Sequence, residues 1–140
     1  MYNALGQPWK TQETVRQVVD DAYGTGPGGL PGNDDLGTMS AWYVFASIGL
    51  FPQTPGRAEM LIGSPTFSTV DIRRASGQRI VIRSSGTDPY VQGARLGGRP
   101  LTQSWVPSSF VNRGGLLSLR VGATPDTTWA TAPEDRPRDH

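Results

Sequence analysis

Two periodicities divide the chain, and the change falls near Pro52. Before that point apolar positions recur at helical spacing. In KTQETVRQVVDDAYG, Val15, Val18, Val19, Ala22 and Tyr23 fall at i, i+3, i+4, i+7 and i+8, one stripe of an amphipathic helix. Thr11 is placed to cap its start and Gly24 to end it. Residues 2–6 read as the stub of an earlier helix, closed by Gly6. A second helix is predicted over 36–48, where Met39, Trp42, Tyr43, Val44, Phe45 and Ile48 cover more than one face. A helix apolar around most of its girth is a buried helix. Ala41, Ala46 and Ser47 are small enough to let neighbouring helices approach, Gly49 is the C′ residue, and Pro52 bars continuation.

After Pro52 the pattern becomes short apolar runs between turn residues. Strands are predicted at 59–62, 69–73, 79–83, 90–96 and 116–121, punctuated by Gly77, Gly86, Gly97-Gly98 and Gly114-Gly115. Gly97-Gly98 between VQGARL and RPL signals a hairpin. Together these runs predict an antiparallel sheet or a small sandwich, so the fold class is α+β. The ending APEDRPRDH is polar and proline-rich and is expected to fray. A helix buried on every side needs several helical partners, and this chain offers one or two. Residues 1–52 are therefore expected to be the end of a larger helical domain, 53–130 a β-rich segment, and 131–140 a disordered tail.

Composition narrows the chemistry. The 140 residues carry thirteen basic and twelve acidic side chains, a net charge of +1. That balance offers no electrostatic case for nucleic acid or for a membrane surface. Twelve of the bases are arginine, and Lys10 is the sole lysine. With no cysteine, disulfides and thiolate metal sites are excluded. The only histidine, His140, is the last residue and is expected to be disordered, which rules out a Ser-His-Asp or Cys-His site within the chain. No apolar run approaches the roughly 20 residues of a membrane span. The start, MYNALGQPWK, lacks the basic and apolar regions of a signal peptide.

Candidate chemistry lies where GPGGLPG meets Asn33-Asp34-Asp35. Two carboxylates stand at the lip of the second helix. A helix N-terminus holds carboxylates through its free N–H groups and its dipole, so one aspartate can be a cap and the other merely solvated. The other reading makes one of them a general base or a metal ligand. Spacing alone leaves both open.

The surroundings resemble glycoside hydrolase family 92, the calcium-dependent exo-acting α-mannosidases. The resemblance is carried by G-Q-P-W-K-T-Q at 6–12, L-P-G-N-D-D-L-G-T-M-S-A-W-Y-V-F at 30–45, I-G-L-F-P at 48–52 and I-G-S-P-T-F at 62–67. It continues more weakly through G-G-R-P-L at 97–101 and G-A-T-P-D-T-T-W at 122–129. It implies the terminal helices of an (α/α)6 catalytic barrel followed by a C-terminal β-segment. It also implies hydrolysis of terminal mannose with inversion, α-1,2 linkages being the expected substrate. By position in the motif Asp35 matches the general base. Asn33 stands where some members carry an acid, and an amide there orients a water without taking its proton. Asp34 is assigned to capping the helix or bracing the loop, close enough to help position water.

The family's general acid is a glutamate in a G-N-E-P-type motif, which this chain lacks. Glu13, Glu59 and Glu134 are its only glutamates, and none has that context. Calcium, implied for the intact enzyme as a ligand of the sugar 2- and 3-hydroxyls, has no assignable protein ligand here, and no stable binding is expected of this chain alone. The implied partners are a mannose-containing glycan and the missing N-terminal part of a parent enzyme, itself expected to be secreted or periplasmic. A homodimer through the over-apolar second helix is a further expectation. Among the other motif residues, Trp9, Lys10 and Gln12 are either structural or line the pocket. Trp42, Tyr43 and Phe45 are core or a sugar platform. Trp105 and Trp129 leave room for the alternative function, a non-catalytic β-sandwich module binding carbohydrate or protein.

Overall fold

The computed structural model describes residues 1–54 and 56–137. Helix α1 spans Pro8–Ala22, a 3-10 turn spans Asp35–Gly37, and helix α2 spans Thr38–Ile48. Strands β1 (Leu50–Phe51), β2 (Met60–Ile62), β3 (Thr69–Arg73), β4 (Arg79–Ser84), β5 (Tyr90–Leu96), β6 (Arg99–Leu101) and β7 (Trp105–Val106) follow. A short helix α3 (Ser108–Arg113) leads into the longest strand, β8 (Gly115–Gly122), and a 3-10 turn at Pro133–Asp135 closes the described chain.

Helix α1 starts four residues earlier than a cap at Thr11 would place it. Pro8 takes the first helical position, where its missing N–H costs nothing. Thr11 is therefore inside the helix rather than at its cap, and its hydroxyl donates to Asn3 Oδ1 at 2.5 Å. Helix α2 ends as expected, at Gly49 in the left-handed conformation.

The β-segment forms two sheets. One is three-stranded, β1-β2-β7, and antiparallel. The other is five-stranded, in the order β3-β4-β8-β5-β6. Its β5–β6 hairpin turns through Gly97-Gly98, both at positive φ, as the sequence indicates. The larger sheet is not wholly antiparallel. Strand β8 slots between β4 and β5, antiparallel to β5 but parallel to β4. A parallel neighbour needs a long crossover. Here the chain supplies one by running through β5, β6, β7 and α3 before it returns.

Both sheets contribute to one core. Ile80, Ile82, Leu117 and Leu119 alternate inward along β4 and β8, and Leu50, Ile62, Val106 and Phe110 meet them. Leu117 is fully buried and lies in register between Ile82 and Leu96. Leu117→Ala is expected to cost about 2–5 kcal/mol, the usual range for emptying such a site. Urea unfolding monitored by tryptophan fluorescence checks this through the shift in midpoint. Gly114 is equally constrained. Its φ is +81°, and a Cβ there would stand 2.3 Å from the Arg79 carbonyl oxygen.

Three side chains of α1 lock the helix onto the β-segment. Strand β5 bulges between Val91 and Gly93, and the Val91 N–H is taken by Gln12 Oε1 at 3.1 Å. The Tyr90 hydroxyl donates to Glu13 Oε1 at 3.3 Å. Arg16 Nη2 donates to the carbonyls of Pro65 and Thr87 at 3.3 and 3.1 Å. Gln12 is thus a structural joint of the G-Q-P-W-K-T-Q motif.

Part of the tail expected to be disordered makes defined contacts. Residues 131–137 are fastened: Ser104 N–H donates to the Asp135 carbonyl at 3.1 Å, Thr102 Oγ1 to Asp135 Oδ1 at 2.5 Å, and Arg136 to the Thr131 carbonyl. Charged residues that look like solvated ends are hydrogen-bonded back onto the β-segment and onto each other's loop. Residues 138–140, His140 among them, lie outside the described residues.

Candidate functional site

The site begins with the loop between the two helices. Residues 24–33 leave the end of α1, and Gly24 N–H closes back on the Gly29 carbonyl at 2.9 Å. At the far end the chain does not run straight into α2. Leu36 sits at φ 57°, ψ 25°, and Gly37 at φ 78°, so two successive left-handed residues reverse the backbone just before Thr38. A left-handed leucine costs roughly 1–2 kcal/mol. Such strain is retained where the surrounding structure demands it, and functional sites are its usual location. Leu36 itself is fully exposed.

The reversal separates the two aspartates. Asp34 folds over the start of α2, its Oδ1 accepting Ser40 N–H at 2.8 Å and its Oδ2 accepting Ser40 Oγ at 2.5 Å. The Ser40 hydroxyl, then the Ser40 amide, hold the Asp34 carboxyl below the usual carboxylate range. Asp34 therefore caps α2 across the intervening turn. Asp35 is left exposed, and its carboxylate takes no part in this cap. Only its backbone carbonyl is engaged, by Thr38 Oγ1 at 2.7 Å. Asn33 is exposed beside them.

A group whose pKa falls on folding stabilises the folded state above its unfolded pKa, and loses that contribution as pH drops through the folded value. The Asp34 cap is accordingly complete at neutral pH and is lost only on strong acidification. Ser40→Ala is expected to move the Asp34 titration back up toward the ordinary aspartate range. Carboxyl 13C shifts followed against pH measure this directly, and an unmoved titration would show that the Ser40 hydroxyl is not what holds the group.

Aromatic packing supports the site from below. Tyr23, at the end of α1, stacks on Trp42 with ring centroids 5.5 Å apart and 13° between planes, and meets Tyr43 at 5.0 Å. Phe45 packs edge-on against Phe51 at 6.4 Å. Toward the C-terminal end of α2 an apolar cleft of about 250 Å³ is lined by Val15, Trp42, Phe45, Leu50, Phe51 and Leu61 among others, and by none of Asn33, Asp34 and Asp35. Along α2, Tyr43 and Val44 remain exposed at 39% and 56%. The face that the sequence marks as buried has few partners among the described residues.

Other expected candidates are accounted for structurally. Trp105 Nε1 donates to the Arg136 carbonyl at 3.2 Å, and Trp129 Nε1 to the Leu101 carbonyl at 3.3 Å. Trp129 also packs against the core. Both indole N–H groups are thus engaged within the β-segment. Glu13 is held by Tyr90, Glu59 lies 3.8 Å from Arg57, and Glu134 is exposed in the last 3-10 turn. Ser40 and Tyr23 were not singled out by the sequence as site residues. An Asp-to-Ser capping distance of six residues matches no ordinary capping box, because the reversed turn is interposed.

Residues 1–123 match the family model of the glycosyl hydrolase family 92 catalytic domain. The chain belongs to glycosyl hydrolase family 92. The fold agrees with solved members. The family GH92 α-mannosidase BT3965 from Bacteroides thetaiotaomicron superposes with a TM-score of 0.91 at 34% identity, over 98% of this chain and 19% of that one. The family GH92 inverting mannosidase BT2199 from the same species gives 0.88 at 37% identity, over 97% and 19%. An uncharacterized secreted glycosidase from Arthroderma benhamiae is 32% identical over 98% of this chain and 18% of its own length. The family 92 chain described here thus spans about a fifth of the relatives it matches.

Proposed function

We propose that residues 1–140 serve as the base-bearing part of an inverting, exo-acting α-mannosidase that removes terminal mannose from glycans, α-1,2-linked mannose above all. The observation that carries this reading is the division of labour between adjacent acids. Asp34 is consumed by its cap on Ser40, and the left-handed turn at Leu36-Gly37 leaves Asp35 free beside it. The relatives support the reaction class: one is named an inverting mannosidase, and another was solved with mannoimidazole.

In the proposed reaction Asp35 takes a proton from a water held on the face of the mannose ring opposite the leaving group. The water oxygen bonds to the anomeric carbon as the glycosidic C–O bond breaks. The departing oxygen takes its proton from a general acid, with the two carboxyls about 6.5–9.5 Å apart as inversion requires. Asn33, an amide, orients water without competing for the proton. The glutamates of this chain do not supply the acid, which the larger catalytic unit must bring. Calcium calls for about six to eight oxygen ligands. Among the described residues no three of Asp, Glu, His and Cys come together, so these side chains by themselves do not make up such a ligand set.

The exposed apolar face of α2 is where we place the missing part of the catalytic unit, and in its absence a second copy of the chain. Light scattering of the isolated chain is expected to show association that grows with concentration, and a clean monomer at high concentration would contradict it. No helix among the described residues is long and apolar enough to cross a membrane. With a relative named as secreted, we propose an exported parent enzyme. The reading is tested by incubating the complete enzyme with α-1,2-, α-1,3- and α-1,6-linked mannobiose. Release of mannose, fastest from the first, is expected. No release from any of them would overturn the reading.

A further inference from the structure

One side chain connects the rigid body of the protein to the acid-bearing turn. Helix α1 is fixed to the β-segment through Gln12, Glu13 and Arg16. Tyr23 lies immediately after this helix, as its C-cap. Its hydroxyl donates to the Met39 carbonyl at 3.2 Å, and its ring covers Trp42 and Tyr43. Met39 directly precedes Ser40, whose amide and hydroxyl hold Asp34. The glycine- and proline-rich stretch between the helices has only the Gly24–Gly29 and Gly26–Gly29 backbone bonds within it. Tyr23 therefore ties α2's first turn to α1 from outside the loop, alongside the close approach of the Met39 side chain to Gly32.

We infer that Tyr23 is a positioning residue for the Asp35 base, acting by locking the first turn of α2 and, through it, the reversed Leu36-Gly37 turn. This rests on the function proposed above. The physical reason is geometric. A general base works only with its carboxylate within hydrogen-bond reach of the attacking water, and a shift of about 1 Å transmitted from a distance can cost on the order of 100-fold in rate. Tyr23 touches neither sugar nor water in this scheme. It reaches the reaction solely through the backbone it holds, so its loss should appear in kcat and spare KM.

The test uses Tyr23→Leu and Tyr23→Phe. In the complete enzyme Tyr23→Leu is expected to lower kcat by roughly 30- to 100-fold with KM within about twofold of the unaltered enzyme. Tyr23→Phe keeps the ring stack and loses only the bond to Met39, so it should recover part of that loss. Val19→Ala, in the buried face of the same helix, controls for stability: it should lower Tm and leave kcat unchanged. In the 140-residue chain, hydrogen exchange of the Ser40 amide should accelerate about tenfold in Tyr23→Leu and return toward the original rate in Tyr23→Phe. A kcat for Tyr23→Leu within twofold of the original overturns the inference. So does a loss that Val19→Ala reproduces at the same Tm, or an unchanged Ser40 exchange rate. If the unaltered enzyme releases no mannose, the proposed function fails. The exchange measurement then still decides whether Tyr23 holds this turn.

Discussion

Asp35→Asn in the complete enzyme is expected to keep the fold and the affinity for mannosides while lowering kcat by about 10²–10⁴-fold, the range for losing a general base. The expectation follows from the contrast with its neighbour. The Asp35 carboxylate is exposed and stays out of the cap, so replacing it removes no stabilising bond within the turn. Asp34→Asn should be far milder in rate, because an amide oxygen still accepts the Ser40 amide. Its cost should show instead as a slight fraying of α2, since asparagine caps a helix about as well as aspartate. Steady-state kinetics with circular dichroism on both variants distinguishes them. A greater rate loss for Asp34→Asn would exchange the two roles.

The isolated 140-residue chain is expected to show no mannosidase turnover at all. An inverting hydrolysis needs a proton delivered to the leaving oxygen as another is removed from water. Of the three glutamates, Glu13 is bonded to Tyr90 on the β-segment side of α1, Glu59 stands beside Arg57, and Glu134 lies near the far end of the described chain. None has the context of the acid motif. The acid-bearing turn also lines no part of the apolar cleft, so among the described residues that cleft does not wall a sugar off from solvent beside Asp35. Incubation with α-1,2-linked mannobiose and calcium, followed by assay for free mannose, checks this. Turnover that vanished in Asp35→Asn would reveal an acid within these residues.

Much of the β-segment was legible because glycine punctuates it. The predicted strands at 69–73 and 90–96 coincide with β3 and β5, and those at 59–62, 79–83 and 116–121 differ from β2, β4 and β8 by a residue or so at their ends. The two-residue strands β1 and β7 and the six-residue α3 are too short to show a period. The parallel partnership of β8 with β4 was not legible. Alternation tells which face Leu117 and Leu119 turn inward, but not which strand lies alongside. The start of α1 was misread for a local reason. Thr11 has the chemistry of a cap, but Pro8 had already begun the helix. At the site, residue types and spacing left the two acids equivalent and only the family resemblance pointed to a base at 35, because the separation of two identical side chains depends on backbone torsion at Leu36, a residue with no intrinsic preference for that conformation. The fastening of Asp135 and Arg136 depends on partners at Ser104, Thr102 and Trp105, about thirty residues back, which composition does not encode.

The assignment of Asp35 is tested most directly by replacing the water it would activate. In Asp35→Ala the base is gone and a small space is left on the attacking side. Azide needs no deprotonation, so it can enter there and bond to the anomeric carbon while the leaving oxygen is protonated as before. With the complete enzyme, an α-mannoside and azide, NMR of the product from Asp35→Ala is expected to show β-mannosyl azide and a recovered rate. Asp34→Ala should give free mannose and no azide dependence. An α-configured adduct, or azide rescue confined to Asp34→Ala, would contradict the placement of the base at Asp35.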